Sequence, residues 1–300
     1  MNLSIVISAH NEEAKLAACL ESLMTLDAEV VVMDHGSTDK TSEIAKKFTK
    51  QVFKTSNNPL EIDLQKNEGF SKATNNWILS LDADERLTPE LCREIISVVE
   101  QSDQDVNGYF VPRKNIIFGK WIEHTGWYPD YQLRLFKKGQ GKFGKKHVHE
   151  PLEVSGKTKH LTEPMLHENY DSIAQFLNKH FVLYAPNEAD HLISSGYTFS
   201  WQDGVRMPVR EFLSRYFARK GYLDGMHGLM LSIFMGLYHF VIFAFLWEKK
   251  QFSDKTSEIN LLTVSEELRH AGRDTLYWIK KEKTDSEKNP LLRKLKKTFS

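Results

Sequence analysis

The sequence predicts an α/β protein: a mostly parallel sheet with helices on both faces, followed by a helical C-terminal appendage. Three observations predict it. Short apolar runs alternate with helical patterns through the first hundred residues. The runs are apolar at successive positions, as strands covered on both faces are. Polar motifs follow immediately after three of them, where open α/β sheets bind ligands.

The elements follow in order. Residues 3–8 read as a buried strand, and residues 12–24 as a helix with Leu16, Leu20 and Leu23 on one face. Residues 29–33 form a β-branched strand ending at Asp34. A helix over about 38–48, a short strand at 51–54 and a helix over about 61–74, interrupted by Gly69, come next. Residues 77–81 are the fourth strand, and Thr88-Pro89 starts a helix with an N-cap and a proline at its first position. From Gly108 the chain reads as extended, with a glycine- and lysine-rich turn at 139–144. Residues 171–189 present Ile173, Phe176, Leu177, His180 and Tyr184 along one helical face. The expected organisation is one domain over 1–210, in two halves at about 1–105 and about 106–210. An apolar helical segment (211–250) and a charged helical tail (251–300) complete it.

Composition narrows the function. The chain has 300 residues with 40 basic and 40 acidic side chains, so it lacks the excess positive charge of a protein that coats nucleic acid. Two cysteines, Cys19 and Cys92, give no disulfide framework and suit a reducing cytosol. The N-terminus lacks the features of a signal peptide.

The polar motifs are "SAHNEE" (8–13), "DHGSTD" (34–39) and "DADE" (82–85), which meet in one crevice. Asp82 and Asp84 end a buried strand, and two close carboxylates raise each other's pKa unless a cation neutralises them. A divalent metal bridging to a phosphate resolves that repulsion, and a helix-capping or solvated cluster is the alternative. A second D-x-D, Asp103 and Asp105, lies in a polar turn and is assigned to solvent. Asp34 stands where a carboxylate accepts hydrogen bonds from a nucleobase, and Asn11 and Glu12 share that position on the next strand. Gly36 and Ser37 also suit a tight turn that caps the following helix.

Together "SIVISAHNEE", "VVVMDHGSTDKTSEIA", "LQKNEGFSKATNNWILSLDADE" and "WYPDYQLRLFKKG" resemble the family 2 glycosyltransferases, in particular the lipopolysaccharide core β-glucosyltransferase subgroup. The resemblance covers about residues 3–250. It implies a GT-A fold, a nucleotide-sugar donor, a divalent metal (Mg²⁺ or Mn²⁺) and inversion at the anomeric carbon. By the same resemblance Ser8, Asn11, Glu12, Asp34 and Ser37 hold the nucleoside, and Lys66 faces the base or diphosphate. Asp82 lies on the ribose and metal side, Asp84 is the main metal ligand, and Asp130 is the catalytic base. The Pro129-Asp130 pair departs from the Glu-Asp pair of many relatives. Gln132 and Arg134 share the Asp130 face of an extended segment. Gln132, Arg134, His149, Glu150 and His167 are candidates for the diphosphate or acceptor, with about 1–105 the nucleotide-binding half of the first domain and about 106–210 its acceptor half. Arg134 equally suits a structural ion pair, and "HVHE" (147–150) a plain surface strand.

Residues 229–247 run for nineteen residues without a formal charge, about 29 Å as a helix. Basic residues flank both ends, so the expectation is a helix or helix pair lying in or dipping into the cytoplasmic leaflet of the inner membrane. A buried core helix or dimer seam is the alternative. The expected function is hexose transfer, with UDP the expected nucleotide, to a cell-envelope glycolipid such as lipopolysaccharide core. A polyprenyl-phosphate acceptor, a nucleotidyltransferase and a non-catalytic nucleotide-binding partner are the rivals.

Overall fold

A computed structural model describes residues 1–57, 62–101, 103–144, 151–253 and 259–285. His149, Glu150 and the basic run at 288–297 lie outside them. Two compact units form, one of Met1–Ile117 with Tyr128–Asn169, the other of Phe118–Trp127 with Tyr170–Ser300.

The first unit contains strands β1 (Leu3–Ala9), β2 (Glu29–His35), β3 (Val52–Thr55), β4 (Trp77–Asp82), β5 (Glu85–Arg86), β6 (Val106–Ile117), β7 (Asp130–Lys137) and β8 (Met165–Tyr170). Helices α1 (Leu16–Glu21), α2 (Thr41–Phe48), α3 (Ile62–Lys72) and α4 (Pro89–Gln101) connect the first six. The sheet order is β3-β2-β1-β4-β7-β6-β8-β5. The expected parallel core holds for β3-β2-β1-β4. Beyond β4 the sheet becomes mixed: β7 runs antiparallel to both β4 and β6.

Both faces of β1, β2 and β4 are buried, and consecutive residues go to opposite cores. Leu3, Ile5, Ile7, Trp77, Leu79 and Leu81 join one cluster with Leu16 and Leu20 of α1 and Leu91 and Ile95 of α4. Val6, Val31, Met33 and Ile78 join the other with Phe70 of α3 and Phe136 of β7. Helix α1 is shorter than expected because residues 12–15 form turns, with the Glu12 carbonyl accepting from the Lys15 and Leu16 N–H groups. Helix α2 starts late because Asp39 Oδ1 accepts from the Thr41 N–H at 2.9 Å, holding residues 38–40 in a turn.

In the second unit, α5 (Ile173–Leu177) runs through a π-helical turn (Asn178–Tyr184) into α6 (Ala185–Ser194). Phe176 and His180 stack there at 4.1 Å. Helix α7 (Asp203–Leu213) is followed by a π turn and a 3₁₀ turn, and then by α8 (Met226–Lys249) and α9 (Leu261–Asp285). The apolar segment read from 211 to 250 is thus interrupted. Lys220 and Gly225 both take positive φ, 55° and 67°, on either side of the 3₁₀ turn. The buried Asp224 carboxylate in that turn accepts from the His124 N–H at 3.0 Å and the Thr125 hydroxyl at 2.9 Å, anchoring residues 123–125.

Gly69 has a packing reason. A Cβ there would lie 2.7 Å from Val6 Cγ1 and 2.8 Å from Met33 Cγ, so α3 rests directly on β1 and β2. Gly69→Ala is therefore expected to destabilise the protein by about 1–3 kcal/mol despite its better helix propensity. Urea denaturation checks this, and an unchanged or raised midpoint would contradict the close packing.

Candidate active site

Three parallel strand ends frame the site, and register sets their neighbours. Ser8 lies beside Met33 on one side and Asp82 on the other, and Ala9 lies beside Asp34. The loops after β1 and β2 are joined to each other. The Asn11 N–H donates to Ser37 Oγ at 2.9 Å, the Thr38 N–H to Asn11 Oδ1 at 2.8 Å, and the Glu12 N–H to Thr41 Oγ1 at 2.8 Å. The Ser37 N–H in turn donates to Asp34 Oδ1 at 2.9 Å. Asn11 and Ser37 therefore hold the loops that frame Asp34. Asp34 is fully buried, and its Oδ2 has no hydrogen-bond partner among the described residues, with Lys54 Nζ at 4.0 Å. Next to it, His35 is buried with both ring nitrogens lacking hydrogen-bond partners among the described residues. Burial and the Lys66 charge push its imidazole below the usual range, so it is neutral. Sequence reasoning passed over His35, because a histidine beside Gly36 reads as part of a turn.

A cluster of charges closes the end of β4. Lys66 of α3, itself buried, reaches Asp82 Oδ1 at 2.6 Å. Arg134 Nη2 donates to Asp82 Oδ2 at 2.7 Å and to Glu85 Oε1 at 2.6 Å. The antiparallel pairing of β7 with β4, Leu79 opposite Leu135, brings Arg134 there. Burial pushes the Asp82 carboxyl up, but Lys66 and Arg134 together hold it well below the usual carboxylate range. Burial also opposes the Arg134 charge, and Glu85 and Asp82 more than restore it. Both Asp82 oxygens thus face protein cations, and Arg134 makes the buried ion pairs that one of its two readings expects.

Asp84 differs from Asp82. Its Oδ1 is buried with no hydrogen-bond partner among the described residues, and its Oδ2 lies 3.5 Å from His167 Nε2. His167 Nδ1 lies 2.7 Å from Asn115 Oδ1, and Asn115 Nδ2 donates to Asp130 Oδ2 at 3.1 Å. With the amide so oriented its oxygen only accepts, so Nδ1 carries the proton. Burial raises the Asp84 carboxyl, but the contact with His167 holds it below the usual range, and an imidazole anchored through its Nδ1–H is oriented to offer Nε2 to a metal. Oxygen and nitrogen donors of this kind suit Mn²⁺, and a carboxylate also suits Mg²⁺. No group of three or more His, Cys, Asp or Glu that could hold a metal gathers among the described residues. Phosphate oxygens and water would fill the remaining positions.

Asp130 opens β7, opposite Arg113 of β6. Its Oδ2 accepts from Arg113 Nε at 2.9 Å and Nη2 at 2.6 Å, and its Oδ1 from Gln132 Nε2 at 2.8 Å. Burial raises this carboxyl, but the Arg113 charge and the bonds from Asn115 and Gln132 hold it below the usual range. Arg113 and Asn115 are site residues that sequence reasoning missed. Their two-residue spacing in "VPRKN" was the available signal, since both then point to one face of a strand.

Arg134→Met should leave Asp82 and Glu85 facing each other with less compensation. The expected loss is about 3–5 kcal/mol of folding stability, the usual result of removing one partner of a buried ion pair. Urea denaturation measures it. A variant of wild-type stability that had lost only diphosphate affinity would return Arg134 to the ligand-binding role.

Residues 4–151 match the model for glycosyl transferase family 2. The chain is 28% identical over 257 residues to an uncharacterized glycosyltransferase of Rickettsia typhi, covering 82% of this chain and 87% of the relative. It is 25% identical to the lipopolysaccharide core biosynthesis glycosyltransferase LpsC of Rhizobium meliloti, covering 82% and 92%. Among solved structures it is similar to S. aureus TarS 1–349, with a TM-score of 0.42 at 14% identity, covering 85% and 93%. The strand-end motifs, Lys66, Arg113, Asn115, Asp130 and Arg134 fall within the residues that match and His167 lies beyond them, and the match together with these relatives supports a family 2 glycosyltransferase.

Proposed function

We propose that this glycosyltransferase moves a hexose from a nucleoside diphosphate sugar, UDP being the expected nucleotide, to a saccharide acceptor of a cell-envelope glycolipid such as lipopolysaccharide core. The observation that carries the reading is the pairing of an ionised Asp130 with the unsatisfied oxygen of Asp84, linked through Asn115 and His167. The printed name of LpsC supports the acceptor class. Asp34 would accept hydrogen bonds from the nucleobase. Asp84 and His167 would hold the divalent cation, Mg²⁺ or Mn²⁺. When bound, that cation supplies charge neutralisation for the diphosphate. Asp130 would accept the proton of the acceptor hydroxyl as it attacks from the face opposite the leaving group, which inverts the anomeric centre.

Asp130→Asn is expected to lower kcat by about 10²–10⁴-fold while leaving UDP affinity intact. Asp84→Ala or EDTA should instead weaken binding of UDP and of the UDP-sugar. Nucleotide-sugar binding and transfer assays across a donor panel measure both. An absence of binding to every donor with either metal would favour a nucleotidyltransferase or a non-catalytic role.

The pH profile gives a separate check. The base must be ionised and its pKa is depressed, so activity is retained as pH falls until that lowered pKa is reached. The acid limb of kcat/KM should therefore lie below about pH 4. A limb between about pH 5 and 7 would assign the base to another group.

The same reading places the chain at the cytoplasmic face of the inner membrane, docked through α8. This helix is long and apolar enough to cross a membrane by length and composition. Met226, Ile233, Leu237, Phe240 and Trp247 form an exposed stripe along it. Its other side packs within the protein, with Ile242 and Leu246 against Ala185 and Ala189 of α6. Midway along α8, His239 lies 3.8 Å from Glu211 of α7, which itself pairs with Arg215 at 2.5 Å. A crossing α8 would carry those charges toward the hydrocarbon centre at about 2.5–3.5 kcal/mol each. That cost favours a helix lying in the interface with its outer stripe in lipid. Leu237→Asp with Phe240→Asp should abolish most binding to anionic vesicles in a flotation assay. Unchanged flotation would place the membrane contact elsewhere.

A further inference from the structure

Six ionisable side chains follow one another across the end of the sheet with alternating sign: Lys66, Asp82, Arg134, Glu85, Arg113 and Asp130. Successive N–O distances are 2.6, 2.7, 2.6, 3.3 and 2.6 Å. One end of this series stands at the donor side of the proposed site and the other at the base. Glu85, near its middle, has no role assigned above, yet it is completely buried. Its Oε1 accepts from Arg134 Nη2 and from Arg113 Nη1, and its Oε2 from the Asp82 N–H at 3.0 Å. One carboxylate thus joins β4, β7 and β6.

The division of the Arg113 guanidinium gives Glu85 its consequence. Nη1 goes to Glu85, while Nε and Nη2 both go to a single oxygen of Asp130, Oδ2. Asn115 donates to that same oxygen, whereas the bond on Oδ1 comes from the neutral Gln132 amide. The two Asp130 oxygens are therefore unlike. Oδ2 is saturated by a cation and an amide, and Oδ1 keeps lone-pair capacity for a proton. A guanidinium released from Glu85 would be free to engage both oxygens in the fork geometry that arginine favours with carboxylates.

We infer that Glu85 is a positioning residue for transfer: by holding Arg113 Nη1 it confines Arg113 to Asp130 Oδ2 and leaves Oδ1 to receive the acceptor's proton. The inference rests on the reaction proposed above. In that reaction the acceptor O–H bond breaks and its proton passes to Oδ1. The oxygen electron pair forms the new bond to the anomeric carbon. The old bond from that carbon to the diphosphate oxygen breaks, its pair leaving with the nucleoside diphosphate.

The test uses the full chain with Glu85→Gln, Arg113→Lys and the double variant, measuring UDP affinity and the kcat of transfer from the UDP-sugar that the wild type uses. Glu85→Gln is expected to lower kcat by at least about ten-fold with UDP affinity within about three-fold of wild type. Lysine has no fork, so adding Arg113→Lys to Glu85→Gln should cost less than about three-fold more, a non-additive pair. Unchanged kcat in Glu85→Gln overturns the inference, as does a parallel fall in UDP affinity or a full multiplication of the two single effects. Should Glu85→Gln not fold, Arg113→Lys alone decides: a lower kcat at unchanged UDP affinity supports the role, and an unchanged kcat removes it. Wild-type turnover with an insensitive Glu85→Gln sinks this inference alone. A wild type that neither binds UDP nor transfers sinks the proposed function, and this inference with it.

Discussion

Arg134 lies between Asp82 and Glu85, and the architecture of the site depends on that placement. A carboxylate taken out of water without compensation loses several kcal/mol, and two of them in one turn also repel. Arg134 donates to both of these carboxylates, with Lys66 completing the contacts of Asp82 and Arg113 those of Glu85. Those cations come from α3, β7 and β6. The mixed half of the sheet therefore does more than extend it. The antiparallel entry of β7 beside β4 delivers a guanidinium to a point where a fifth parallel strand, entering with opposite polarity, would present a different set of side chains.

Once Asp82 is committed to Lys66 and Arg134, Asp84 acquires a distinct character. The two aspartates are two residues apart and belong to the same motif, yet one has both oxygens against protein cations and the other keeps Oδ1 unsatisfied. A buried oxygen acceptor without a donor costs about 1–3 kcal/mol unless a ligand satisfies it. That cost is typical of a site organised for a bound group rather than for stability. The proton on His167 Nδ1, fixed by Asn115, extends the same organisation to the neighbouring nitrogen.

Much of the first unit was legible because its signals are local. Continuous apolar runs, Thr88-Pro89 and the polar residues at strand ends are readable within windows of a few residues, and β1 to β4 and α4 lie where those signals place them. The charge partners were not legible. Lys66 to Asp82, Arg113 to Asp130 and Arg134 to Glu85 join residues far apart in sequence, and pairing register, not composition, decides which cation meets which carboxylate. Arg134 illustrates the limit: its alternation with Asp130 and Gln132 put the three on one face, but not the neighbouring strand that makes it a bridge. The position of the break between α7 and α8 was hidden for another reason. The flanking residues remain apolar and helix-prone, and the interruption rests on the buried Asp224, whose partners are about a hundred residues earlier.

A depressed carboxyl is a weak base, and at first sight Asp130 is poorly suited to deprotonate a sugar hydroxyl. The difficulty lifts when the timing of the proposed reaction is considered. A free hydroxyl is a very weak acid, but its proton becomes strongly acidic as its oxygen bonds to an electron-poor anomeric carbon. A base that acts late in bond formation has no need of high basicity. It needs to be ionised in every resting molecule, oriented, and able to hold a proton on one defined oxygen. Arg113 and Asn115 on Oδ2, with a neutral amide on Oδ1, supply that combination, and the same contacts that lower the basicity of Asp130 fix its geometry. For a carboxylate beside a diphosphate, the counter-charge also lessens repulsion between base and donor, so the arginine that weakens the base makes its presence in the site tolerable.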